Sequence, residues 1–420
     1  MLTPLQEHER LFNEEGQPVG FDERFKNLEL IQWCKPTDDS PWGYYASFKI
    51  GAEWMERDKP LVVTAKRGME NIDFLRMFMT CFTSDLAVDS FAEIYKIDLD
   101  KPAIKAPGLN SIVSPLIVLH FLGVVNRIKS LKKGYVHRQE NLKKVKGHIK
   151  LLKNERTNIA SKRYDRIYCE YDEYSVDIPE NRILKKALQF SLGLIKSMSS
   201  NQTAYPEVKR LILRNLAKFD NVSDDVSIYS IGPAHSSKLF REYAEAIRLA
   251  KIILRHFDYS ISKVGEHEDK VPPFVLDMSL LYEHYVYGLL YEAYHEKISY
   301  QFSGETGFPD FLYRSRDFKA ILDTKYIPKY EKTKLDTYVV RQLSGYSRDL
   351  SVLKYLGYKN IDEEAPTPPV PCVIIYPTEG QRIFNPFKDK TLQELCTPTH
   401  NVKNLSMFYK LEVPVPTIKR

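Results

Sequence analysis

Between Pro309 and Ile327 the chain reads PDFLYRSRDFKAILDTKYI, and this stretch restricts the fold more than any other. Phe318, Ala320 and Leu322 alternate to one face of a strand, while Asp323 and Lys325 share the opposite face at its end. Asp310 lies 13 positions before Asp323, at the head of another apolar run, Phe311–Tyr313. The spacing predicts a hairpin, with strands at Phe311–Tyr313 and Phe318–Tyr326, that returns Asp310 to the side of Asp323. An Asp-x-Lys triplet alone is common in charged chains and fits a surface ion pair. Here the run that precedes it is apolar, so the acid is expected on a buried strand.

The surroundings of the hairpin set the fold class. The segment DMSLLYEHYVYGLLYEAYHE before it reads as a helix; a helix in LDTYVVRQLSGYSRDL, the strand CVIIYP and a last strand around MFYKLEVPV follow it. Helix, hairpin, helix and strand is an α/β (α+β) order with a mixed central sheet. The N-terminal part is expected to be β-rich and helical. YYASFKIGAEWM and KPLVVTAKR read as strands, and MENIDFLRMFMTCF reads as an amphipathic helix. A buried helix is expected from Ser114, with Ser114 as N-cap, Pro115 in the first turn and a stop near Gly134. RIYCEY reads as a strand, Pro179 opens a helix, and two more helices follow, in EVKRLILRNLAKF and KLFREYAEAIRLAKIILRHF. The polar stretch SKVGEHEDKVPP marks a boundary. Three regions are expected: 1–180, 181–265 and 266–420.

Charge is distributed unevenly. Residues 127–166 hold 14 Lys/Arg against 3 Asp/Glu, so this tract carries +11 of a chain whose net charge is +6. Such a tract suits an acidic partner or nucleic acid. The five cysteines are far apart and form no CxxC, which argues against a zinc site and for a reducing, cytoplasmic setting. No apolar run is long enough to span a membrane, and the polar start is unlike a signal peptide.

Two carboxylates held side by side repel, and one is forced to take a proton. A hard divalent cation removes that conflict by using both as oxygen ligands. Asp310 and Asp323 are therefore candidate ligands for Mg²⁺, with the Thr324 backbone carbonyl as another. Lys325 is placed to serve a nucleophilic water and to stabilise charge on phosphate. Glu283, on the preceding helix, is a further catalytic and metal-site candidate, as ligand or as the group that orients a water. Gln342 and Tyr346 share a helix face at i, i+4 and could brace the site or touch DNA phosphate.

These residues resemble the PD-(D/E)xK nuclease motif: Pro309-Asp310, then Asp323-Thr324-Lys325. The wider context resembles McrC, the nuclease subunit of McrBC and LlaJI-type restriction systems. The carriers are DMSLLYEHYV at 277–286, ENLKKVKGHI at 140–149 and CEYDEYSVDIPENRILKKAL at 169–188. Lys146-Gly147-His148 departs from the Arg-Gly-Arg expected in many members. The resemblance implies a restriction-endonuclease-like domain over 266–420 that cleaves double-stranded DNA with Mg²⁺ and can self-dimerise. It also implies an N-terminal half that docks on an McrB-like AAA+ GTPase ring and stimulates it. None of the 18 glycines precedes a lysine, so the chain has no P-loop of its own. Two alternatives remain: a non-catalytic activator of the GTPase, and a stand-alone nuclease.

Overall fold

The computed structural model describes residues 4–418 apart from 14, 37–39, 70, 82–92, 99–100, 199–204, 226–240, 262–269, 332–334, 360, 363, 365–367 and 381–384. The fold is mixed α/β, as the element order predicts. The chain divides into two compact units. One comprises residues 1–119, 200–204 and 263–420; the other comprises 120–199 and 205–262.

In the first unit, a five-stranded sheet runs in the order Ile298–Tyr300, Phe311–Arg314, Lys319–Thr324, Cys372–Gly380, Phe408–Pro416. The first three strands are antiparallel neighbours and the last two pairings are parallel. A parallel return needs a crossover, supplied by helices Thr337–Tyr346 and Leu350–Tyr355. The sequence suggests one helix here. Asp349 divides it, because its carboxylate accepts Ser351 N–H at 2.9 Å and starts a second helix. Val339, Leu343, Val352 and Leu353 of the crossover pack on Leu312, Ile321 and Ile374. On the other face, Tyr287 of helix Met278–Tyr294 stacks on Phe311, with ring centroids 6.0 Å apart. Lys319–Thr324 is thus buried on both faces, which explains why its apolar residues exceed simple alternation.

A second five-stranded sheet in this unit combines Leu5–Gln6, Lys59–Thr64, Lys49–Glu56, Phe274–Asp277 and Tyr95–Ile97. The predicted strand at 44–55 is two strands, Gly43–Ala46 and Lys49–Glu56. Phe274–Asp277 pairs with Lys49–Ala52 and leads directly into helix Met278–Tyr294. Asp277 caps that helix, accepting Ser279 and Leu280 N–H at 3.0 and 3.1 Å. The boundary stretch at 262–269 lies outside the described residues.

The second unit is led by helix Asn110–Arg127, whose start belongs to the first. The expected start at Ser114 is four residues late. Ser114 is buried inside the helix, and Pro115 is its sixth residue. Full burial of Leu116, Ile117, Val118 and Phe121 outweighs the hydrogen bond that Pro115 cannot donate. The helix also ends at Arg127, and Gly134 opens a strand instead. Strands Gly134–Leu142 and Ile167–Ser175 form a hairpin joined by His148–Ile149. Gly147 allows the turn (φ +70), since a Cβ there would stand 2.4 Å from the Glu170 carbonyl. Helices Pro179–Met198, Tyr205–Ala217 and Arg241–Ile261 complete the unit. Among the described residues no helix is long and apolar enough to cross a membrane, and all five cysteines are free.

Candidate active site at the end of the central strand

The hairpin register pairs Phe311 with Leu322, so its next step sets Asp310 beside Asp323. Asp323 lies within the strand and Lys325 one residue past its end. Asp323 is completely buried. The Lys325 ammonium lies 2.6 Å from Asp323 Oδ2, yet neither carboxylate oxygen accepts a well-directed hydrogen bond. Asp310 is better satisfied. Its Oδ2 accepts both the Thr324 N–H and the Thr324 hydroxyl, each at 2.6 Å. The amide and hydroxyl of Thr324 are thus used to hold Asp310.

Electrostatics follow from this crowding. Burial, then the neighbouring Asp310 charge, pushes Asp323 up to about 7 against the opposing pull of Lys325. Burial also raises Asp310. Lys325 is disfavoured as a cation by burial, but Asp323 and Asp310 more than offset this and raise it. Glu283 is pushed up to about 7 by burial and then by Asp310, with Asp323 adding to the effect. Gln301 donates to Glu283 Oε1 at 3.0 Å, and it and the nearby Tyr300 hydroxyl oppose this rise. Among the described residues, no three His, Cys, Asp or Glu side chains are gathered closely enough to enclose a metal. Glu283 therefore faces the two aspartates through their charges without joining them in a cage.

Gln342 and Tyr346 do share a helix face: Gln342 Nε2 donates to the Tyr346 hydroxyl at 2.9 Å. Tyr346 donates in turn to the Phe308 carbonyl at 3.2 Å, two residues before Asp310. Its ring lies 3.2 Å from where a Cβ on Gly307 would sit, and Gly307 has φ +132. Tyr346 thus braces the approach to Asp310.

Two supporting residues are not among the candidates the sequence offers. Gln301 donates its backbone N–H to the Asp310 carbonyl at 2.8 Å while its side chain holds Glu283. Asp349 caps its helix and also accepts the Thr306 N–H and hydroxyl at 2.7 and 3.0 Å, anchoring the loop before Asp310. Burial alone would raise Asp349, but the bonds from Ser351 and Thr306 prevail and hold it at about 2. Only the Asp349 cap was readable from sequence, as a polar residue before an apolar run.

No curated protein matches the chain. Two solved structures are similar at low identity. One is a half-complex from a tetradecameric assembly of Thermococcus gammatolerans McrB AAA+ hexamers with bound McrC; at 15% identity the match covers 99% of this chain and 94% of that one, with a TM-score of 0.37. The other is the cryo-EM structure of the Thermococcus gammatolerans McrBC complex, at 14% identity over 68% of this chain and 86% of that one, with a TM-score of 0.31. Residues 92–347, which include every acid and the lysine of the site, match the family model "McrBC 5-methylcytosine restriction system component", and the chain belongs to that family.

Proposed function

We propose that the chain is the Mg²⁺-dependent DNA endonuclease subunit of a McrBC-like restriction system, and that it stimulates a partner AAA+ GTPase. The observation that carries this reading is the Asp310–Asp323 pair, with Asp323 fully buried, and Lys325 at the same strand end. A structural ion pair needs one carboxylate and one ammonium. Here two carboxylates share one lysine, and among the described residues Lys325 is the one donor within reach of the buried Asp323 carboxylate. That donor set fits a hard cation: oxygen ligands with a surplus of negative charge.

Asp310 and Asp323 would hold Mg²⁺, with the Thr324 carbonyl as a further ligand. When bound, the ion supplies Lewis-acid polarisation of a phosphate oxygen and acidifies a coordinated water. Thr324 fixes one oxygen of Asp310, which leaves the other to face the site. Lys325 remains charged at neutral pH and stabilises the negative charge that grows on the phosphate. Glu283, raised to about 7, can accept or return a proton near neutrality, and Gln301 fixes its orientation. Tyr346 keeps the Asp310 loop against the crossover helix.

The partner-docking role falls to the hairpin of the second unit. Around its basic tract Leu151, Leu152 and Tyr164 are about three-quarters exposed. Exposed apolar side chains ringed by lysine and arginine suit a protein partner better than a bare DNA backbone. The whole reading is tested by co-purifying the chain with a McrB-like AAA+ GTPase and measuring plasmid cleavage and GTP turnover together. Asp323→Ala is expected to abolish cleavage and leave folding and GTPase stimulation intact. Wild-type cleavage by that variant would sink the site assignment.

A further inference from the structure

Lys325 lies beyond the last residue of its strand, where the ladder no longer fixes the backbone by itself. Its N–H makes a final sheet bond to the Ile375 carbonyl at 2.8 Å. The chain then turns sharply, with Ile327 N–H on the Lys325 carbonyl at 2.6 Å. Between them the Tyr326 carbonyl is left without a sheet partner. It is met by Lys66, whose ammonium donates to it at 2.6 Å and sits 3.4 Å from the centroid of the Tyr326 ring. That ring is buried against Tyr282.

Lys66 comes from the N-terminal sheet and is itself held in place. It follows the strand Lys59–Thr64, which pairs in parallel with Leu5–Gln6. Glu7, just after the latter strand, donates its N–H to the Thr64 carbonyl at 3.1 Å, and its Oε2 accepts the Lys66 N–H at 2.9 Å. Glu7 is buried, and its Oε1 has no hydrogen-bond partner. A carboxylate placed in the interior only to fill space would be costly; here it faces the Lys66 charge. The Glu7 carboxylate on the Lys66 amide and the Lys66 ammonium on the Tyr326 carbonyl therefore link residues 7, 66 and 326 in one chain of contacts. A charge-assisted donor holds a carbonyl more firmly than a neutral one.

We propose that Lys66 is a positioning residue for Lys325: by clamping the Tyr326 carbonyl it fixes the backbone that carries the Lys325 side chain into the site. The inference rests on the nuclease reading above and adds that the cleavage centre is completed by the N-terminal segment. The region 266–420 by itself lacks this clamp.

The test uses the full chain, first alone and then with its GTPase partner, as wild type, Lys66→Met, Lys66→Arg and Asp323→Ala. In the metal-free chain, Lys66→Met should raise hydrogen exchange at the Lys325 and Ile327 amides by at least tenfold while strand Cys372–Gly380 stays protected. In the assembled system it should lower kcat for plasmid cleavage by roughly ten- to a hundredfold, the range of a misplaced catalytic group. KM for DNA and GTPase stimulation should stay within twofold, and Lys66→Arg should recover most of the loss. If Lys66→Met does not fold, Lys66→Gln, which keeps a donor without the charge, is read by the same measurements. Unchanged exchange with wild-type kcat overturns the inference, as does a general loss of protection with KM, kcat and stimulation falling together. Inactive Asp323→Ala beside fully active Lys66→Met leaves the nuclease reading standing and removes only the clamp. Active Asp323→Ala removes both.

Discussion

Two regions of this chain use the same side chains to opposite ends. At the end of strand Lys319–Thr324, Asp323 is fully buried and the half-buried Asp310 and Lys325 crowd it, two carboxylates to one ammonium. On the hairpin Gly134–Leu142/Ile167–Ser175, acids and bases are plentiful, exposed and matched. Glu170 meets His137 Nε2 at 2.6 Å and also the Lys150 ammonium; Glu173 meets Arg138 and Lys146 at 3.2 and 3.4 Å. Charge alone does not mark chemistry; burial without satisfaction does. In water a displaced pairing is replaced by solvent, whereas inside the protein an unmatched carboxylate changes its proton affinity or takes a cation.

The largest effect that would break this contrast is expected at Lys325. Lys325→Ala leaves both aspartates able to bind Mg²⁺, and removal of a competing cation should leave metal affinity equal or higher. Cleavage should fall by roughly two to four orders of magnitude, as expected for loss of a charge-stabilising or proton-handling group. GTPase stimulation should not change. Normal cleavage with slightly lower stability would put Lys325 in the same class as the hairpin lysines.

The hairpin should fail differently. Replacing Leu151 and Leu152 by Asp removes two exposed apolar anchors without touching the core. Partner binding should weaken by roughly ten- to thirtyfold, the size of one lost interface anchor of about 1.4–2 kcal/mol. Metal binding to the free chain should be unaltered. Buried amides support the tip: Asn158 donates to Asn154 and Asn141 at 2.7 and 2.9 Å, so the substitutions should leave its shape intact. If GTPase stimulation survives, docking lies elsewhere.

Sequence patterns carried the first of these regions well. The apolar run before Asp323 and the spacing to Asp310 locate the pair, because a two-residue period and a hairpin are local rules. The i, i+4 spacing likewise places Gln342 beside Tyr346. Pro115 misleads because the local rule for proline is overridden by burial of the whole helix. Lys66 and Glu7 were not legible at all. The contact of Lys66 with Tyr326 spans 260 positions and that of Glu7 with Lys66 spans 59, and neither repeats at any period, so only the folded chain reveals them. Gln301 escapes for a related reason: its role depends on the register between strands Ile298–Tyr300 and Phe311–Arg314.

If burial sets the two kinds of charge apart, a buried titratable group far from the site in sequence must also feel it. His120 is buried, and burial pushes it down to about 4, although Glu245 opposes this; Arg248 and Arg127 add to the lowering. The unfolded chain then takes up the proton first on acidification, near the ordinary histidine value of about 6.5. Its contribution to stability is complete above that pH and is lost as pH falls towards about 4. His120→Gln should flatten the acid side of the stability curve by up to roughly 3 kcal/mol between those limits. An unchanged slope in urea melts at pH 4.5 and 7 would show that the unfolded and folded states hold this proton alike.

The smallest effect is expected where pairing is most visible. Glu170 sits between His137 and Lys150 on the hairpin, with its side chain about one-fifth exposed. Counting contacts would make it the best-connected acid of the arm, since Gln139 Nε2 also approaches at 3.3 Å. Yet both basic partners remain solvated, their side chains being 54% and 41% exposed, so each can exchange Glu170 for water. Glu170→Gln keeps the shape and one acceptor and removes only the charge. The cost should be about 0.2–1 kcal/mol, falling further in high salt as exposed pairs are screened. Cleavage and metal binding should be unchanged. A loss above about 2 kcal/mol that salt does not reduce would mean that this pair behaves as a buried one, and the distinction drawn between the hairpin and the strand end would then fail where it is easiest to measure.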